Sequence, residues 1–187
     1  MPSALLIRPA PAGQGVQPVE TYEVVEAVAA ILASSALGLA FREHLGNGDA
    51  ERGARLVHTH RVPLRDQNGD EGDSAPVWAL LREMGSVTGQ SPERPSGIVA
   101  VPLQLQISLD SDQIGRSSPD ALLSYGHVLA AVALEGRQLA VQRGAGRFES
   151  ASNVTRTDRP SPARIDPDTG RVYSSALYSV TLRPLPL

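Results

Sequence analysis

His58 and His60 are the first residues whose type and spacing could do chemistry, because two imidazoles at i, i+2 project from one face of an extended strand and could hold a transition metal. Two ligands do not complete a zinc site, and the remaining histidines, His44 and His127, belong to no HExxH pattern, so the pair reads as solvent-facing or hydrogen-bonded side chains. In DQNGDEGD, residues 66–73, the side chains Asp66, Asn68 and Asp70 match the first three positions of a calcium loop. The match then fails, since Glu71 stands where glycine must turn the loop and Val77 where a bidentate glutamate must close it. GSVTG at 85–89 has its serine second, not third, so it is not a nucleophile elbow, and a chain without lysine has no phosphate-cradling GxxxxGK. Asp110 and Asp112 read as solvated charges at a strand end, not as an acid/base pair, and Trp78 lies in an apolar run that reads as core. The expectation is therefore no catalytic residue, no metal set and no cofactor.

Composition narrows the remaining classes. A length of 187 residues suits one domain with a real core, while Gly 17 and Pro 15 point to loops or arms around it. With Cys 0, disulfides and thiolate chemistry are excluded. All 17 basic residues are arginine and the net charge is -3, which argues against a protein that wraps nucleic acid through many phosphate contacts. The charge is nevertheless uneven. Residues 137–171 hold seven arginines against Glu149, Asp158, Asp166 and Asp168, whereas 97–136 hold Arg116 against Asp110, Asp112, Asp120 and Glu135. Opposite patches on one chain suit head-to-tail self-association. The apolar stretch Ala4–Ile7 is too short for a signal peptide or a membrane helix, so a soluble chain is expected. Residues 1–17 read as a flexible lead-in and 18–187 as one domain.

The elements that would position any site follow from periodicity. Val24, Val28, Ile31 and Leu32 fall at helical spacing over 18–34, with Glu20, Glu23 and Glu26 near the start. A short strand over 55–64 and a buried one around Val77–Leu81 are expected to pair as a hairpin across the acidic turn. In 99–109, Val99, Val101, Leu103, Leu105, Ile107 and Leu109 alternate with small or polar residues, which predicts a half-buried strand. Pro102 predicts an edge or a bulge there. Ser118, Pro119, Asp120 and Gly136 bracket a second helix whose apolar face is expected at Leu122, Tyr125, Val128, Leu129 and Val132. A strand and a long loop or arm occupy about 145–165. DPDTG at 166–170 then turns the chain into a last strand with Val172, Ala176, Tyr178, Val180 and Leu182 on one face. The fold class is α+β: a mostly antiparallel sheet of four to five strands, two helices packed on one face, and extended loops or arms.

Two stretches carry a family resemblance. Asp73, Ala75, Pro76, Val77 and Trp78 match an acidic loop followed by a P-x-V strand, and Asp166, Asp168, Gly170, Ser174, Ser175, Ala176, Tyr178 and Val180 match an Asp-rich turn leading to a Ser-Ser-Ala strand. In these, and in the order of its elements, the chain resembles the lambda-type tail terminator proteins of long-tailed bacteriophages. The resemblance implies a non-enzymatic virion subunit of the tail or neck, assembled in the host cytoplasm. It would form a homohexameric ring on the tail tube protein, end tube polymerisation, and dock a head-tail connector or head completion protein. Genomic DNA would pass the lumen without sequence-specific binding, and no membrane is involved. Another neck or tail-completion subunit is the alternative, and a small enzyme a more distant one. For the interface, Arg147, Arg156, Arg159 and Arg164 of the arm are expected to meet acidic groups of a neighbour, with Asp70, Glu71, Asp73, Asp110 and Asp112 as the candidates.

Overall fold

Helix α1 spans Thr21–Ser34 and buries Val24, Val25, Val28, Ala29 and Leu32, the stripe that its periodicity predicts. The computed structural model describes residues 21–38, 57–60, 75–84, 99–110, 118–137, 139–143 and 147–182. Within them, strands β1 (Val57–Thr59), β2 (Val77–Glu83), β3 (Val99–Leu109), β4 (Leu139–Arg143), β5 (Arg147–Arg156), β6 (Arg164–Ile165) and β7 (Val172–Leu182) and helix α2 (Pro119–Leu134) complete the fold. The sheet runs β1-β2-β3-β7-β5-β4, with β6 on β7 beside β5, and every strand pairing except β1 with β2 is antiparallel.

The α+β class expected from the sequence is the class observed, with more strands than the four to five foreseen. β3 behaves as its alternation predicts: Val101, Leu103, Leu105, Ile107 and Leu109 are buried under the helices. Its neighbours carry the same alternation across the sheet, because Leu105 registers with Leu81 on one side and Ala176 on the other. α1 contacts β1, β2 and also β4 at the far end of the strand order, so the sheet curls around the helix pair, while α2 lies over β3, β7 and β5.

Four local expectations are corrected. β1 and β2 are parallel, with Val57 opposite Ala79, so they are not a hairpin. Pro102 is not at an edge, since β3 lies between β2 and β7. It is tolerated because its carbonyl, which accepts the Met84 N–H at 2.9 Å, faces the end of β2, and its missing N–H faces the same way, where the ladder stops.

The inward face of α2 is Leu123, Gly126, His127, Ala130, Ala133 and Leu134, so Tyr125, Val128 and Val132 point outward. A helix apolar all round leaves its periodicity ambiguous, and close approach to the sheet selects the small side. A Cβ on Gly126 would stand 2.9 Å from Ile107 Cδ1.

Finally, the segment expected as an arm lies along β7 of its own chain. β5 pairs with β7 from Val154 to Arg156, Thr157 donates its N–H to Leu177 O at 2.9 Å, and Ser161 donates to Ser175 O at 2.7 Å before β6 takes over. An edge strand is held by backbone bonds and needs little apolar content, and Pro160 and Pro162 merely interrupt the ladder between bonded residues.

The closing turn is built as its residues foretell. Asp166 O accepts the Gly170 N–H at 2.8 Å, Asp166 Oδ1 accepts the Asp168 N–H at 3.0 Å, and Gly170 takes the left-handed backbone at φ 70 that its lack of Cβ permits.

Candidate functional site

Alternation places one face of the sheet against the helices and leaves the other without a helical cover among the described residues. On that second face the register aligns Trp78, Ser108 and Tyr173 in one row, Leu80, Gln106 and Ser175 in the next, and Arg82, Gln104 and Leu177 in a third. The first row is sealed. Arg171, only 7% exposed, donates from Nε to Ser108 Oγ at 2.9 Å, reaches Pro76 O at 3.4 Å, and stacks its guanidinium 5.4 Å from the centre of the Trp78 ring. Trp78 is therefore core, as its apolar context implied, but on the side away from the helices.

Beyond that first row Arg82, Gln104, Gln106, Tyr173, Ser175 and Leu177 line a groove of about 840 Å³ whose wall is the Asp158–Pro167 stretch beside β7. Gln104, Gln106, Ser175 and Leu177 of the sheet stand there beside Arg82. Charges lie at the rim: Arg82, Arg159 and Arg164 against Asp158 and Asp166. Arg82 Nε donates to Gln104 Oε1 at 2.8 Å. Both carboxylates are engaged locally. Asp158 Oδ1 accepts the Arg159 N–H at 2.7 Å, and Asp166 is held below the usual carboxylate range chiefly by the Asp168 N–H and the Thr169 hydroxyl. The groove offers amides, hydroxyls, carboxylates and guanidinium groups.

Two of the perturbed groups lie on the helical face, while His58, in register with Leu80, and Asp166 belong to the other. His127 and Tyr178 are both buried, and among the described residues neither imidazole nitrogen nor the phenol oxygen has a hydrogen-bond partner. Burial, reinforced by the Arg156 guanidinium, pushes His127 down to about 4, while the Ser174 backbone opposes this without meeting hydrogen-bond geometry. Burial likewise pushes Tyr178 up to about 12. Arg156 Nε lies 3.1 Å from Glu135 Oε1, an ion pair just past the end of α2, where Gly136 N–H donates to Val154 O at 3.2 Å.

Of the residues expected at an interface, Arg159 and Arg164 meet in the groove wall. Arg156 belongs to the helical side, Arg147 stands on β5 in register with Arg143, and Asp110 ends β3 with its N–H on Pro76 O at 2.7 Å. Asp70, Glu71, Asp73 and Asp112 lie outside the described residues. His58 is buried, which lowers its pKa, whereas His60 is exposed and ends β1 at φ 62. Among the described residues no three His, Asp or Glu side chains gather as metal ligands. The groove floor was open to sequence reading through the uncharged even positions of β3; Arg82 and the Arg171–Trp78 stack depend on cross-strand register and were not.

These features define a single-sheet α+β subunit with helices on one face and a grooved polar sheet on the other. No protein-family model matches the chain, and no curated protein does. Among solved structures it is similar to a chain in the virion of a native gene transfer agent particle, with a TM-score of 0.53 and 12% identity over 86% of this chain and 95% of that one. At that identity the likeness is one of fold.

Proposed function

We propose that the protein is a structural subunit of a phage-type virion, and within it the ring that caps the head-proximal end of the tail tube. The observation that carries this reading is the fold shared with a virion chain over nearly the whole of both sequences. The motifs at 73–78 and 166–180 resemble tail terminators and support the specific role. The groove and the outward apolar side of α2 are features of a surface that packs on other subunits, which favours assembly over catalysis. The partners are further copies in a homohexameric ring, the tail tube protein on one side, and a head-tail connector or head completion protein on the other. Genomic DNA passes the lumen. Of the interface residues foreseen, Arg159 and Arg164 are the ones we assign.

The test is genetic and physical. Particles made without this chain should carry tubes of uncontrolled length, and labelling should locate the chain at the head-proximal tail end in electron micrographs. Tubes of normal length on particles whose heads fail to join would move it to the neck as a connector subunit, and its absence from purified particles would end the virion reading.

A further inference from the structure

α2 is apolar on two sides. Its inner side fills the core, and its outer side presents Tyr125, Val128 and Val132 at i, i+3 and i+7, exposed by 54%, 53% and 75%. A stripe so continuous on a surface helix is the mark of a covered face. The groove lies on the opposite face of the same sheet. From register and chemistry we infer that the outer stripe of α2 in one copy of this chain seats in the groove of the next copy.

Dimensions and charge select that occupant. Tyr125 to Val132 spans about 10 Å along a helix, and the groove runs about 13 Å along β7 from Tyr173 to Leu177. It carries Leu177 and, beside it, Met84, which give an apolar stripe a seat between the charged groups. One end matches in sign. Acidic Asp120 precedes the stripe and α2 itself contains no arginine, while Glu135 beyond its other end is already paired with Arg156. Arg164 stands in register with Tyr173 at one end of the floor, and Arg82 lies in the row of Leu177 at the other. Among the described residues, neither Arg159 nor Arg164 has an ion-pair partner within its own chain. Exposed charge pairs add little affinity and mainly set orientation, so the apolar seat carries the contact. Because stripe and groove are different surfaces on opposite faces, the contact is head-to-tail and repeats around a closed ring. This inference rests on the assembly reading above and adds the surfaces that make the ring.

A chain with Cys 0 allows a direct test. Val132→Cys and Leu177→Cys are made separately, checked for normal melting, mixed, and treated with a short bismaleimide, while native mass is measured for the full chain alone and with tail tube protein. The expected result is a covalent dimer only in the mixture, and a ladder of oligomers from the double variant. Val132→Asp should raise the dissociation constant of the oligomer at least about tenfold while the subunit melts normally. Oligomers that form without this cross-link, or that link Val132→Cys to itself, overturn the proposed seat and leave assembly standing. A chain that stays monomeric in both mixtures overturns both.

Discussion

Lowering the pH should unfold this protein through one buried imidazole. His127 has its pKa depressed to about 4 in the folded chain, against about 6.5 when unfolded. Between those values the unfolded chain binds more protons, so stability is intact above about 6.5 and is lost as pH falls toward 4. Integrating over the window gives a loss of about 2 kcal/mol by pH 5 and about 3 kcal/mol by pH 4, a large share of a typical domain's stability. Burial is the main cause, Arg156 adds to it, and the buried His58 shifts in the same direction. His127→Leu keeps the volume, removes the titration, and removes two nitrogens that lack partners. Urea unfolding midpoints at pH 7, 6 and 5 give the comparison: the stability of wild type relative to the variant should fall by about 2 kcal/mol from pH 7 to 5. If both proteins lose stability in parallel, the acid sensitivity belongs to other groups, His58 or carboxylates, and the reasoning about His127 fails.

Two further substitutions probe the two faces of the sheet. Leu105→Asp places an unpaired charge at a fully buried position facing the helices and should abolish soluble folding, so a variant that melts normally would refute the register of β3. Arg171→Ala removes a hydrogen bond to Ser108 and the stack on Trp78 and should cost about 2 kcal/mol. Since Trp78 is the single tryptophan, its emission should shift to the red, and unchanged emission with unchanged melting would show that Arg171 does not seal that row.

What the sequence disclosed depended on how local each cause was. The alternation of 99–109 and of Ala176, Tyr178 and Val180 is a strand-length signal, and the structure buries Val101, Leu103, Leu105, Ile107, Leu109, Ala176, Tyr178 and Val180 as the alternation requires. The DPDTG turn was equally legible because its bonds join residues at most five apart. Parallel pairing of β1 with β2 could not be read, since only the crossover chain decides direction. β4 was missed because LAVQR, five residues long, alternates too briefly to stand out from its arginine-rich surroundings. The inward side of α2 was assigned to its largest apolar residues. The fold puts Gly126, Ala130 and Ala133 there because the helix backbone must approach β3. For the candidate site, Arg159 and Arg164, singled out in the sequence for their charge, line the groove, whereas Arg82, Gln104 and Leu177 become neighbours only through register.

The placement of perturbed and accessible groups bears on the choice between catalysis and assembly. An enzyme needs shifted ionisable groups where a substrate can reach them, in one convergent pocket. Here His127 and Tyr178, the residues with the largest shifts, are sealed between α2 and the sheet, and Arg156 and Glu135 at the mouth of that region are paired with each other. The accessible groove is on the other face, a strand layer away, and its two carboxylates hold the turns that shape its wall. Bringing one set to the other would require β3 or β7 to invert, which their continuous eleven-residue pairing forbids. The groove thus combines Gln104, Gln106, Ser175 and Leu177 with the guanidinium groups of Arg82, Arg159 and Arg164, a mixture that suits the assembly we propose.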